Sequence, residues 1–301
     1  MNLFPVRVFR CLSGVCVDCD TRLGVTRCAG DYASGIVEPV YRSIIGLART
    51  VFFAQGLKFD VRGAERIPAV GGAVIAINHT GYMDFTYAGL PARTPKRYIR
   101  FMAKKEVFDS GVSGPIMRAL RHIPVDRSAG ADSYKAALEY LRRGELVGVY
   151  PEATISRSFE IKEFKSGAAR MSIESGVPII PMVIWGAQRV WTKGHPKRLG
   201  RTNTPIRIAV GEPIAPPVVG DGDVGEAAAE LTKRLRTTMQ QMLQALQQGY
   251  QHEPGAYWVP ARLGGGAPTL EEANAMDAAD AAAKAERAAA NRNSAGGEPD
   301  R

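Results

Sequence analysis

Residues 73–85 read Ala-Val-Ile-Ala-Ile-Asn-His-Thr-Gly-Tyr-Met-Asp-Phe, an unbroken apolar run set directly against a polar turn. A short run of this kind, with β-branched residues at Ile75 and Ile77, is the pattern of a strand covered on both faces. Such strands belong to layered α/β folds, whose chemistry collects at strand ends. In the turn itself, His79 and Asp84 stand five apart with Gly81 between them. That spacing lets the carboxylate fold back onto the imidazole. An Asp that accepts a bond from one ring nitrogen fixes the tautomer and stabilises imidazolium, leaving the other nitrogen to take a proton. The same residues also describe an Asn-His turn followed by a helix-capping Asp, so the pair alone leaves both readings open.

The rest of the chain repeats the alternation. Strands are expected at 58–61, 98–103, 122–125, 146–150, 178–185 and 205–210, and helices at 115–121, 132–143, 168–175 and 224–248. Strands alternating with helices at this interval argue for an α/β layer architecture. The last of these helices carries Leu231, Leu235, Met239, Met242 and Leu246 on one stripe, the pattern of a core contact. Ahead of the first strand, Val40 to Phe59 repeats apolar residues at helical spacing, with Tyr41, Ile45, Ala48 and Phe52 beside Val40, Ile44, Leu47 and Val51. Arg42 and Arg49 fall on the opposite face. This amphipathic helix is suited to a membrane interface, and a packed helix on the domain body has the same period.

Three regions follow from these patterns. Residues 1–36 show no helical or strand period and contain all four cysteines, Cys11, Cys16, Cys19 and Cys28. Cys16 and Cys19 have the gap of a zinc knuckle, but the remaining spacings fit no common zinc fold, so a Cys-rich disordered extension is the expectation and no metal is assigned. The folded domain is expected to span 37–250, with a start near Val37 conceivable. Residues 251–301 form a tail: Tyr257 to Pro260 docks, Gly264 to Gly266 breaks the chain, and an isolated Ala-rich helix over 270–292 ends in a disordered stretch.

The formal charge is +9 and the pI near 9.5, which predicts attraction to polyanions. Residues 251–301 hold five Lys and Arg against eight Asp and Glu, so the domain before them is more basic than the whole. The charges are scattered through loops, and neither a groove-reading helix nor an aromatic ribonucleoprotein motif appears, which argues against nucleic acid. No eighteen-residue apolar run and no secretory signal are present, so the cytoplasmic side is the expected place.

Four segments in order then match a known pattern. Asn78-His79 and Asp84 form the first. Ile123-Pro124-Val125-Asp126-Arg127 is an Arg closing a short strand. Pro151-Glu152-Ala153-Thr154-Ile155-Ser156 is the third, with Phe164-Lys165-Ser166-Gly167 downstream, and Val177-Pro178-Ile179-Ile180-Pro181 the fourth. Over about half the chain these resemble the glycerolipid acyltransferase superfamily, the bacterial 1-acyl-glycerol-3-phosphate acyltransferases in particular.

That resemblance implies a single α/β domain with a mixed central sheet flanked by helices and preceded by an interfacial helix. It implies acyl transfer from acyl-CoA or acyl carrier protein to a lysophospholipid at the cytoplasmic membrane face, with no cofactor beyond the thioester. His79 would be the general base and Asp84 its orienting partner. Arg127, Glu152, Thr154 and Lys104 would bind the acceptor, Arg127 through its phosphate. The oxyanion donor is unassigned, with the backbone amides around the His79 turn as candidates. The third motif departs from the family: Ala153 replaces its Gly and Ile155 its Arg. An Ala tolerates positive φ poorly, so a turn of different shape is expected, and Arg157 becomes a candidate substitute for the lost guanidinium, with Lys162, Lys165 and Arg170 as added charge. These departures keep two further readings in view, an acyltransferase for another lysophospholipid or alcohol and a catalytically silent membrane-associated paralogue.

Overall fold

The apolar run lies at the heart of the molecule. In the computed structural model, which describes residues 10–11, 14–15, 39–126, 130–219 and 223–295, Ala73–Ile77 is a strand with every residue fully buried. It belongs to a seven-stranded sheet built from β3 (Lys58–Arg62), β4 (Ala73–Ile77), β5 (Ile99–Lys104), β6 (Ile123–Val125), β7 (Leu146–Val149), β8 (Ile179–Trp185) and β9 (Pro205–Val210). The order across the sheet is β3-β9-β8-β4-β7-β5-β6. Strands β4 to β8 are mutually parallel, whereas β9 runs antiparallel to β8 and β3 runs parallel to β9. The sheet is therefore mixed, as the resemblance implies, and the parallel set presents its carboxyl ends along one edge.

Helices cover both faces because successive strand residues point to opposite sides. Val74 and Ala76 join a core with Leu138 and Leu141 of α5 (Gly130–Arg142), Ala169 and Met171 of α6 (Gly167–Ser175), and Leu231, Leu235, Met239, Leu243 and Leu246 of α7 (Val224–Gln247). Ala73, Ile75 and Ile77 meet Phe52 of α1 (Pro39–Ala54) and Tyr87 of α2 (Asp84–Ala88) on the other side. On α7 the buried stripe includes Leu243, with Met242 half-buried beside Gly211. Two short helices, α3 (Lys105–Asp109) and α4 (Ser113–Ala119), link β5 to β6.

Helix α1 both packs and protrudes. Tyr41 and Phe52 are buried, and the Tyr41 hydroxyl donates to the Ile99 carbonyl at 3.1 Å. Leu47, Val51 and Phe53 face outward, Phe53 at 85% exposure. The helix ends at Ala54, short of the Phe59 expected from its period, because Gly56 adopts a left-handed φ of 68° and turns the chain into β3.

The C-terminal region departs from expectation. Trp258 and Val259 dock in the core, as the sequence indicates. Beyond them α8 (Leu270–Ala295) is not an isolated helix: Ala273 is fully buried, and Asp277 and Asp280 form ion pairs with the domain. A reciprocal cap starts it, with Thr269 N donating to Glu272 Oε2 at 2.8 Å and Glu272 N to Thr269 Oγ1 at 3.2 Å. Composition reports helix propensity but not which charges lie opposite.

Residues 1–38 form a separate unit. Within it β1 (Arg10–Cys11) and β2 (Gly14–Val15) make a two-stranded antiparallel ribbon where no strand period was legible. Cys16, Cys19, Cys28 and Val37 lie outside the described residues.

Candidate active site

The turn after β4 is held by bonds that converge on one carboxylate oxygen. Asp84 is fully buried, and its Oδ2 lies 2.9 Å from His79 Nδ1 while accepting the backbone amides of Thr80 and Gly81 at 2.8 Å each. The carboxylate accepts from Nδ1–H, so Nε2 carries the lone pair. The imidazole is 21% exposed and its ring stacks on Tyr150 at 4.2 Å. One face of the ring is thus fixed and one nitrogen remains for a substrate proton.

The fold braces this turn from three sides. Asn78 pairs with the backbone of Ile184 in β8, accepting its N–H at 2.7 Å and donating to its carbonyl at 3.1 Å. Thr192 Oγ1 donates to the Thr80 carbonyl at 2.7 Å, and Ser156 N to the His79 carbonyl at 2.7 Å. Gly81 is required by close approach, since a Cβ there would stand 2.8 Å from the Trp191 carbonyl.

Glu152 is the buckle between this turn and the loop after β7. Its Oε1 accepts His79 N at 2.9 Å and its Oε2 accepts Lys162 N at 3.1 Å. Burial pushes the carboxyl up to about 8, against the opposing pull of those two amides.

Beside the buckle lies a basic cluster. Lys162 Nζ donates to Thr154 Oγ1 at 2.7 Å, and Arg157 and Lys193 stand with it around Asp277 and Asp280 of α8. Burial would raise the Asp277 carboxyl, but hydrogen bonds from Lys162 and Lys193 hold it below the ordinary carboxylate value.

A His-Asp pair at a strand end, its carboxylate buried and its imidazole part-exposed, is equipped for proton abstraction. Comparison with known proteins agrees. The Acyltransferase family model matches residues 58–185, which hold the dyad, the buckle and Thr154. By that match and by its relatives the chain is an O-acyltransferase. It is 28% identical to the 1-acyl-sn-glycerol-3-phosphate acyltransferase of Bacillus subtilis over 209 residues, which cover 65% of this chain and 98% of that protein. To the Homo sapiens 1-acyl-sn-glycerol-3-phosphate acyltransferase beta it is 29% identical over 201 residues, 65% of this chain and 70% of the other. The solved structure of the 1-acyl-sn-glycerophosphate acyltransferase PlsC from Thermotoga maritima shares the fold, with a TM-score of 0.55 and 22% identity over 70% of this chain and 81% of that one.

Within the acyltransferase domain the expected site residues divide. His79, Asp84, Glu152 and Thr154 are drawn together by the bonds above. Lys104 ends β5, exposed, on the same sheet edge but two strands from β4. Arg127 lies outside the described residues.

Glu152 holds backbone with both carboxyl oxygens. Two expectations are corrected. Ala153 keeps the left-handed turn at φ 60° despite its Cβ, at a cost of about 1–2 kcal/mol. The amides of the His79 turn are engaged rather than open: His79 N goes to Glu152, Thr80 N and Gly81 N to Asp84, and Tyr82 N to the Trp191 carbonyl at 3.0 Å. An oxyanion donor from these four amides would have to abandon a bond the fold already uses. Ile155, in the place of the family's Arg, is buried.

Sequence reasoning did not anticipate the stacking of Tyr150 on His79, or Lys193 and Asp277 as members of one cluster. The partner of Lys193 lies 84 residues further on. An apolar cavity of about 70 Å³ opens between α1 and the sheet, lined in part by Ile45, Ala48, Phe52, Phe85 and Phe101. Phe85 directly follows Asp84, so apolar lining begins one residue from the dyad.

Proposed function

We propose that this acyltransferase moves a fatty acyl group from a thioester, acyl-CoA or acyl carrier protein, to the free hydroxyl of 1-acyl-glycerol-3-phosphate, making phosphatidic acid. The observation that carries the reading is the fixed His79–Asp84 pair with Nε2 open beside the Lys162 cluster. The names of the Bacillus and human relatives support the same acceptor.

In this reading His79 Nε2 removes the acceptor hydroxyl proton as the oxygen attacks the thioester carbonyl. Asp84 stabilises the imidazolium formed. The tetrahedral intermediate collapses with a new C–O bond and a broken C–S bond, and the leaving thiolate takes the proton from His79. A thioester is already activated, so the step needs no enzyme nucleophile and no cofactor. General-base assistance of this kind contributes roughly a hundred- to ten-thousand-fold.

Access to a lipid acceptor is assigned to α1. No helix among the described residues is long and apolar enough to cross a membrane. The outward face of Leu47, Val51 and Phe53, with Arg42 and Arg49 exposed beside it, fits the boundary of an anionic leaflet and supports a peripheral enzyme, which in this reading works on the cytoplasmic face.

The test is thiol release from palmitoyl-CoA against lysophosphatidic acid, glycerol 3-phosphate and a neutral lysolipid, with His79→Ala as control. Turnover on lysophosphatidic acid that is lost with His79 is the expected result. Turnover on the neutral lysolipid alone would assign the altered third motif to a different acceptor, and none at all would favour a silent paralogue.

A further inference from the structure

The acidic side of α8 sits in the basic cluster beside the catalytic turn. Asp277 Oδ2 accepts from Lys162 Nζ at 2.5 Å and Oδ1 from Lys193 Nζ at 2.9 Å, with Arg157 Nε 3.5 Å from Oδ1. Thr154 Oγ1 is 3.5 Å from Oδ2. Asp280 Oδ2 takes Arg157 at 2.7 Å and Lys193 at 2.8 Å. One carboxylate thus collects two ammonium groups, a guanidinium edge and a hydroxyl neighbour, while a second closes the outer side.

The groups around it are rigidly tied to the chemistry. Arg157 follows Ser156, whose amide binds the His79 carbonyl, and Lys193 follows Thr192, whose hydroxyl binds the Thr80 carbonyl. Lys162 shares its backbone amide with Glu152, the buckle on His79. The cluster is therefore registered against the dyad by three separate bonds.

The helix that fills it is held loosely by comparison. Ala273 is buried, but Met276 is 43% exposed and most of the remaining described side chains of α8 face solvent. Its hold on this side is a set of ion pairs, which salt screens and a better anion can replace. A phosphomonoester is that better anion: it brings close to two negative charges and three acceptor oxygens where a carboxylate has one charge and two oxygens.

We propose that Asp277 is an internal stand-in for a phosphomonoester. Thr154, Arg157, Lys162 and Lys193 form a seat for the phosphate of the acceptor headgroup, and α8 lies in that seat until a phosphorylated acceptor displaces it. The proposal rests on the acyl-transfer reading of the dyad for its biological meaning, though not for its test. It also accounts for the buried Ile155: with the family's Arg absent there, the cations are supplied by the flanking loops.

The full-length protein is titrated calorimetrically at low salt with glycerol 3-phosphate, inorganic phosphate and CoA, and amide exchange is followed over 270–295. Asp277→Asn with Asp280→Asn should raise affinity for glycerol 3-phosphate about tenfold, the worth of about one displaced ion pair. Glycerol 3-phosphate should speed exchange in α8 of the unaltered protein. Adding Arg157→Ala and Lys193→Ala to the double variant should abolish binding. Unchanged or weaker affinity in the double variant would make α8 a structural brace and overturn the proposal. So would tighter seating of inorganic phosphate, which marks a free-phosphate site, or of CoA, which marks a donor site. Asp280→Asn alone, with its half-exposed carboxylate, must shift affinity the same way by a smaller factor, which keeps the test readable if the double variant fails to fold. No arm measures acyl transfer. A protein that gains phosphate affinity but turns over no acceptor would keep the seat and lose the reaction.

Discussion

Two loops leave neighbouring parallel strands at the same sheet edge and are organised in opposite ways. The turn after β4 closes on itself: His79, Thr80, Gly81 and Asp84 are joined within six residues, and the carboxylate that orders them is the next element's first residue. The loop after β7 is assembled from afar. Lys162 meets Asp277 across 115 residues, and Arg157 meets Asp280 across 123. A group that must hold a proton-transfer geometry is built locally, where few degrees of freedom separate its parts. A group that must bind and release an anion is built from side chains on separate elements, which can part without unfolding the sheet.

The sharpest break in that comparison is His79→Ala. It should lower kcat at least about a hundredfold while leaving the melting temperature within about a degree, because the ring is part-exposed and Asp84 keeps its two amide bonds. Steady-state thiol release and a thermal melt read both quantities.

Next in size is the buckle. With its carboxyl raised to about 8 in the fold from an ordinary 4.5, Glu152 holds a proton that the unfolded chain has released across that interval. Stability should therefore fall as pH rises from 4.5 to 8, by up to about 1.4 kcal/mol per pH unit, and level above it. Urea unfolding of Glu152→Gln should lose that slope. Retention of the full slope would place the titrating group elsewhere.

Gly81→Ala probes the local loop alone. Its Cβ would meet the Trp191 carbonyl at 2.8 Å, so the turn must shift, costing about 1–3 kcal/mol and lowering kcat with little change in acceptor KM. The smallest effect belongs to the distant loop. Ala153→Gly relieves the positive φ and should stabilise the fold by about 1 kcal/mol, less the entropy a glycine adds to the unfolded chain, seen as a shift in urea midpoint.

The same contrast governs what could be read in advance. The β4 run and the dyad spacing are periodicities or contacts within a few residues, and each appears where the pattern puts it; the α7 stripe does so except that Leu243 rather than Met242 is buried. The backbone bonds of Glu152 were not legible, because a carboxyl that binds two backbone amides looks in sequence like one that binds substrate. Nor was the engagement of His79 N and Tyr82 N, since their partners are Glu152, 73 residues away, and the Trp191 carbonyl.

By itself the sequence determined the layered α/β architecture and its apolar central strand, and it put Asp84 within reach of His79, because these follow from short-range period and spacing. Tertiary structure alone decided that α1 presents one apolar face to the core and another outward, and that Ala153 keeps the turn its Cβ opposes. It also decided that an acidic helix from the far end of the chain lies against the basic groups beside the dyad. Charge patterns fix what attracts what, but only the folded backbone fixes which opposite charges arrive within bonding distance.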